Sequence, residues 1–397
     1  MSERLDGVLV SGAGPVGLVT ALKLARAGIR VVVVDSEPAI RDEPRAAVYH
    51  SPVVERFAQL GVLEDLKEIG VLKQAYHYWN IGHRLLGHFS FDVLRPQDTT
   101  HPFNLHLGQP ALAQVILRHL LRVPGVDVRW NTKLVAVSQT DDAVTATVET
   151  REGPKEIRAR WLVGADGGHS GTRRALNLKL EGITHPEWFV ATNVMFDFTK
   201  HGYGQSNVVL DPEHWAIIPV IDKAGLWRCT YREEGALTEA EARALVPQRY
   251  ELFAPGLAGV APDAVNPYRV HDRCAETFRV GRALLAGDAA HLVNPIGGLG
   301  LTGGLLDAFP LSDALIAVIE GRQPESVLDA WAAERRRVFL DVTVPTATEN
   351  RRRVSERDPE KRRADEARLQ KLTNDREAAR QALLGVFRLV GSHPQLY

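Results

Sequence analysis

The sequence predicts an α/β fold: a parallel βαβ core, an interleaved antiparallel sheet and C-terminal helices. Three observations carry that expectation. Gly7 to Ser11 is a short apolar run, Pro15 to Ala27 an apolar-faced helical stretch, and Val31 to Asp35 four valines closed by an acid, the pattern of strand, helix and buried strand. Between Phe189 and Tyr231 a strand-like pattern returns, with turn residues at Asp211-Pro212-Glu213 and from Asp222 to Gly225, the mark of a broad antiparallel sheet. From Thr302 onward the apolar period is helical.

The remaining elements follow in order. Ser51 before Pro52 reads as an N-cap with proline at the first helical position, opening a helix to about Leu60. From Val71 to His106 aromatics, histidines and prolines gather without helical period, which suggests an excursion into a second layer. A helix is expected from about Pro110 to Leu121. Alternating runs then cover Val126 to Trp130, Leu134 to Gln139, Val144 to Glu149 and Glu156 to Leu162, a small antiparallel meander turning at Asp141-Asp142 and Gly153-Pro154. Thr238 with Glu241 makes a capping box for a helix to about Phe253, and Pro/Gly-rich sequence runs on to Pro267. Leu284 to Ala286 is a short strand; Thr302 to Ile319, Ser326 to Leu340 and the charged tail from Glu360 to Phe387 are helical.

A chain of 397 residues exceeds what one hydrophobic core usually supports, so two interleaved domains are expected. Residues 1–70, 101–180 and 270–345 form one, 71–100 and 181–269 the other, and 346–397 a C-terminal helical segment. With Lys plus Arg at 48 against Asp plus Glu at 49, no net field attracts phosphate backbones or anionic lipid, so nucleic acid and membrane are not expected partners. Cys229 and Cys274 are the only cysteines and stand far apart, without zinc-ligand spacing, which fits a reducing compartment. MSERLDG leads straight into a strand, and no stretch approaches ~18 uninterrupted apolar residues. The cytoplasm is the expected location.

Gly12-Ala13-Gly14-Pro15-Val16-Gly17 follows the first strand and opens the first helix. Glycines there permit a tight turn, close backbone approach to a pyrophosphate and close helix packing, while the helix N-terminus faces the phosphates. Asp35 stands where an acid would accept ribose hydroxyls. A purely structural turn explains many isolated motifs of this kind. Strand, helix and acid together point to a nucleotide, without separating FAD from a nicotinamide. Two further segments repeat the theme. Leu162 to Arg173 sets Asp166, Gly167 and Ser170 between strand and helix, and Leu284 to Leu301 runs through Gly287-Asp288, Pro295 and Gly297-Gly298-Leu299-Gly300-Leu301 into a helix.

Those three motifs, in that order, resemble the flavin-dependent aromatic hydroxylases of the para-hydroxybenzoate hydroxylase type. The resemblance implies an FAD-binding Rossmann-like domain of the glutathione reductase type, with an interleaved antiparallel-sheet substrate domain and C-terminal helices. It implies that Asp166 and Gly167 form a motif serving both FAD and the nicotinamide, and that Asp288 hydrogen-bonds the FAD ribitol or ribose. Backbone amides near Gly298, Gly300 and Leu301 would meet the flavin pyrimidine edge, where a helix N-terminus stabilises the reduced anion. Arg45 and Gln109 would contact FAD, against bland readings as a surface arginine and a helix start. NADH or NADPH would reduce FAD, dioxygen would form a flavin hydroperoxide, and a phenolate-activated ring would take the oxygen. FAD, NAD(P)H, dioxygen and a small aromatic are thus the expected cofactors and partners.

Stretches in the second sheet, including Ala191 to Val194, His201 to Tyr203, Gly225 to Arg228 and Asn266 to His271, resemble the branch of that family that oxidises para-nitrophenol. There oxygen enters at the carbon bearing nitro, and nitrite leaves. Related frameworks accept pyridinols, aminophenols or carboxylated phenols, so the substrate stays open. Tyr203, Asn207 and Arg228 are the polar candidates for steering a phenolate. Trp215, Ile217 and Pro219 alternate on a strand expected above the flavin ring, and core packing explains them equally well. Tyr49, His50 and Pro295 could touch flavin or substrate, or simply pack. A flavin halogenase would carry WxWxIP where this chain has His214-Trp215-Ala216-Ile217-Ile218-Pro219, and intact motifs disfavour a non-catalytic flavin binder. His201, His214 and His271 share no ligand spacing, so no metal is expected. The triplets Arg335 to Arg337 and Arg351 to Arg353 read as solvated faces. With the chain ending at Tyr397, no C-terminal thioredoxin-like domain of the kind some phenol hydroxylases carry is expected, and a homodimer would have to use another surface.

Overall fold

The computed structural model describes residues 3–42 and 47–392. The valine-rich strand Arg30–Val34 and the first strand, Glu3–Ser11, pair in parallel with Val31 beside Val8. Being buried on both faces is what lets such runs be continuously apolar. The sheet continues on one side through Gly153–Gly164 and Ala283–Leu285 to Arg279–Val280, and on the other to Val126–Arg129. Helix Pro15–Arg26 covers it, buried along most of its length.

The expected meander loses its first member. Lys133–Gln139 and Val144–Thr150 do form an antiparallel hairpin against the first half of Gly153–Gly164, but Val126–Arg129 pairs in parallel with Arg30–Val34. The helix Gln109–Leu120 before it makes a crossover, and a crossover returns the chain in parallel.

The second sheet has the order His291–Leu292, Ala264–Ala275, Leu180–Met195, Leu226–Glu233, Ala216–Pro219, Ser206–Leu210, Ala75–Asn80, Leu85–Ser90. Both anticipated hairpin turns, at Asp211 and Asp222, join strands of it. Pro267 is a strand residue facing Val190, because Val265, Tyr268 and Val270 outweigh it. The outer face is closed by helix Glu239–Phe253, whose Val246, Tyr250 and Phe253 pack with Trp227, Cys229 and Tyr231. The capping box forms as expected: Glu241 N donates to Thr238 Oγ1 at 3.3 Å, and Thr238 N to Glu241 Oε2 at 2.8 Å.

A third, three-stranded sheet of Val48–Tyr49, Asn104–His106 and Val71–Lys73 ties the excursion to the first unit. Ser51 is not the cap of its helix. His50 holds that place, and Ser51 Oγ donates to Phe103 O at 2.8 Å. Helices Leu299–Ile319 and Ser326–Val338 follow, then a π-helical turn Phe339–Thr343 and helices Val344–Val354, Pro359–Asn374 and Arg376–Leu384. Leu299–Ile319 is the one helix among the described residues long and apolar enough to cross a membrane; 78% of its window is buried inside the protein, as a core helix requires. Arg335 is not solvated. It is buried with Asp307 of that helix, Nε to Oδ1 2.8 Å, because a carboxylate in the core needs a cation.

Candidate active site

One cavity of about 1110 Å³ runs between the two larger sheets. That exceeds the usual room for a drug-sized ligand. At its first end lie Gly12, Gly14, Pro15, Asp35, Gln109, Asp166, Gly167 and Asp288. Gly12 has φ +108°, and a Cβ there would stand 2.3 Å from Ala165 O, so only glycine lets the first strand turn beneath the Asp166 loop. Asp35 accepts from Ala13 N at 2.6 Å and Glu37 N at 2.9 Å, which pins the glycine loop to the second strand. Asp166 accepts from Ser170 Oγ, and from Thr172 N and Oγ1, both at 2.9 Å; it organises its own loop from the cavity wall.

Two helices that start at the cavity, Pro15–Arg26 and Leu299–Ile319, begin at a glycine with no side-chain cap, as does Gln109–Leu120. Their first N–H groups are therefore available to anionic ligand atoms. Gly298, Gly300, Leu301 and Pro295 line the second of these ends. Uncapped helix starts, a glycine cradle and the volume together fit a flavin dinucleotide.

The roof is one face of the second sheet. Its register sets Ser206, Val208 and Leu210 beside Ile217 and Pro219, then Arg228 and Thr230, Ala191, and Asn266 with Tyr268. Arg228 is buried and donates from Nε to Asn193 Oδ1 at 3.0 Å; burial pulls its pKa down to about 10. No carboxylate bridges it among the described residues.

His50 lines the junction of the two ends. Asn104 Oδ1 accepts from Ser51 N at 3.1 Å, so its Nδ2 must be the donor, reaching His50 Nδ1 and the Tyr76 hydroxyl at 3.0 Å each. With Nδ1 accepting, His50 carries its proton on Nε2 and donates to Gly297 O at 2.7 Å. Burial pushes its pKa down to about 4.

Several anticipated residues stand elsewhere. Gly17 and Gly287 are in the packing behind the wall: a Cβ on Gly17 would lie 2.0 Å from Gly12 O, and one on Gly287 2.9 Å from Val16. Asn207 points to the opposite sheet face from Val208, its amide used by Gly204 and Ile218. Tyr203 donates to Phe253 O at 2.7 Å in the outer core. Trp215 is buried edge-on against Phe189, ring centroids 4.8 Å apart. Tyr49 packs on Phe57, its hydroxyl without a hydrogen-bond partner among the described residues. Arg45 lies outside the described residues. No cluster of metal ligands occurs among the described residues.

The sequence reading missed Lys73, Tyr76 and Asn104 in the cavity wall, and Asp307 behind it. Asp307 Oδ2 accepts from Gly287 N at 3.1 Å and pairs with His291 Nε2 at 2.7 Å, fixing the turn that presents Asp288.

The family described as FAD binding domain matches residues 6–345. Para-nitrophenol 4-monooxygenase of Pseudomonas sp. (strain WBC-3) is 44% identical over 98% of this chain and 97% of its own. The 6-hydroxy-3-succinoylpyridine 3-monooxygenase HspB of Pseudomonas putida is 38% identical over 89% of this chain and 90% of its own. The crystal structure of p-nitrophenol 4-monooxygenase PnpA from Pseudomonas putida DLL-E4 superposes with a TM-score of 0.95 at 43% identity, over 98% of this chain and all of that one. Cavity, motifs and relatives agree, and the chain belongs to the FAD binding domain family of flavin-dependent aromatic monooxygenases.

Proposed function

We propose that the chain hydroxylates a small phenol, para-nitrophenol first, using NAD(P)H and dioxygen. In that case para-nitrophenol, dioxygen and the reductant's hydride become benzoquinone, nitrite and water, a set in which atoms and charge balance. The observation that carries the reading is one cavity with uncapped helix starts at one end and a buried arginine in the sheet that roofs it. The bound flavin would supply reduction by nicotinamide and activation of dioxygen. The chain's own residues would do the rest. Gly12, Gly14, Pro15, Asp35, Gln109 and Asp288 would hold the dinucleotide, and the start of Leu299–Ile319 would face its ring. Val208, Ile217 and Pro219 would exclude water above the ring, and Arg228 would draw the phenol oxygen.

On this reading residues 1–70, 101–180 and 270–345 serve the cofactor, while 71–100 and 181–269 roof the substrate, in a cytoplasmic enzyme. The test is oxidation of NADPH and NADH by FAD-loaded protein across para-nitrophenol, para-hydroxybenzoate, aminophenols and hydroxypyridines, with nitrite and products quantified. Nitrite release matching reductant use supports the denitrating reading. Coupling to another ring reassigns the substrate, and no stimulation by any aromatic overturns the proposal.

A further inference from the structure

Resting on that reading, we propose that Lys73 is the base that takes the phenolic proton, so that the substrate is held as a phenolate against the Lys73 ammonium. Lys73 ends the short strand Val71–Lys73, is 1% exposed and lines the cavity. Its strand partner is Asn104, the residue that joins His50 to Tyr76. Its Nζ stands 2.7 Å from the centroid of the Tyr76 ring and 5.8 Å from that of Phe91. Among the described residues no hydrogen bond and no carboxylate reaches that nitrogen. The charged or titratable groups around it are His50 before the helix Ser51–Gln59, His106 on Asn104–His106, and Tyr76 and His77 on Ala75–Asn80. None of them offers a negative charge at neutral pH.

Burial without a counter-ion favours the neutral amine: it holds the Lys73 pKa well below the ordinary lysine range. A neutral phenol entering beside it can break its O–H bond while an N–H bond forms on Nζ, leaving phenolate and ammonium. No net charge crosses into the cavity. The ion pair then supplies the counter-charge that the protein itself leaves out, and the phenolate gains the electron density its ring carbon needs for attack. Of the histidines around it, His77 does not line the cavity. His50 uses both nitrogens, and His106, bonded through Nδ1 to Val220 O at 2.9 Å, does not line the cavity.

The experiment reads the ionisation of a bound chromophore. FAD-loaded wild type, Lys73→Met and Lys73→Arg are titrated with 4-nitrophenol at about one pH unit below the ligand's own pKa, and difference spectra report phenol or phenolate. Flavin retention and melting check that each variant folds. Wild type should show the phenolate band. Lys73→Met should show the phenol band, and its turnover should recover as rising pH supplies ready-made phenolate. Lys73→Arg, a permanent cation with no lone pair to offer, should bind phenolate only in proportion to its solution fraction, losing about tenfold in affinity per pH unit below the ligand's pKa. A phenolate band in Lys73→Met, or a phenol band in wild type, overturns the role of Lys73 while leaving the monooxygenase reading intact. A wild type that binds and turns over no phenol overturns both.

Discussion

Replacing Asp307 by Asn tests whether the wall behind the cofactor is held by charge. The carboxylate is buried in helix Leu299–Ile319 and meets Arg335 Nε at 2.8 Å, His291 Nε2 at 2.7 Å and Gly287 N at 3.1 Å. Burial alone would raise its pKa, yet His291 and Arg335 hold it below the usual carboxylate range. Asparagine keeps the shape and removes the charge, stranding a buried guanidinium. Removing one partner of a buried pair costs about 3–5 kcal/mol. For 397 residues the unfolding entropy is about 0.8 kcal/mol per kelvin, so the melting midpoint should fall by about 5 °C. The Gly287 turn would loosen with it, and flavin released into solution should fluoresce at a lower temperature than in wild type. Calorimetry and flavin fluorescence on one FAD-loaded sample read both. Adding Arg335→Met to the variant should recover part of the loss, since the stranded charge is gone. A midpoint within about one degree of wild type would refute the reasoning.

Four further outcomes are expected. The His50 pKa is about 4 folded against 6.5 unfolded, so its neutral form is what the fold stabilises; the contribution is complete above about pH 6.5 and is lost as pH falls toward 4, up to about 3 kcal/mol. His50→Gln should flatten that acid limb in urea titrations between pH 4 and 7, and an unchanged limb would speak against it. Gly12→Ala forces a Cβ against Ala165 O and should abolish flavin retention, read from the absorbance of purified protein. Arg228→Met should raise KM for the phenol about tenfold or more, from the ~1.5–3 kcal/mol of a charge-assisted hydrogen bond, with flavin binding intact. Thr238→Ala removes a cap far from the cavity and should cost about 1 kcal/mol in denaturant melts without changing turnover.

The cofactor end was legible because its signals are local. Gly12, Asp35, Asp166 and Gly298 sit at junctions whose strand and helix neighbours are adjacent in sequence, and turn chemistry reads directly from such neighbours. The substrate end was less so. Asn207 was a plausible polar candidate, yet a strand shows alternate residues to opposite faces, and the register of Val208 with Ile217 assigns it to the outer one. Trp215 and Tyr203 carry the right chemistry on elements whose packing partners, Phe189 and Phe253, come from distant parts of the chain. Lys73 gave no signal at all. It lies on a three-residue strand too short for periodicity, and its burial depends on Asn104 and Phe91 closing over it. Arg335 looked like one of three surface arginines because nothing local shows that Asp307, on the preceding helix, faces it.

The strand Leu85–Ser90 ends the second sheet, and its outer edge is occupied by the helix Pro359–Asn374. Gln370 Nε2 donates to Leu86 O, and His88 N donates to Thr373 Oγ1 at 3.0 Å, so side chains stand where another strand's backbone would bond. Arg84 with Glu366 and Arg380 with Asp98 fasten the cover. The consequence concerns synthesis. A nascent chain emerged as far as Arg357 holds every strand of that sheet with one margin bare, a template for pairing between chains. Helix Pro359–Asn374 closes that margin when it docks, and a chain truncated at Arg357 should be lost to aggregation before its chemistry can be assayed.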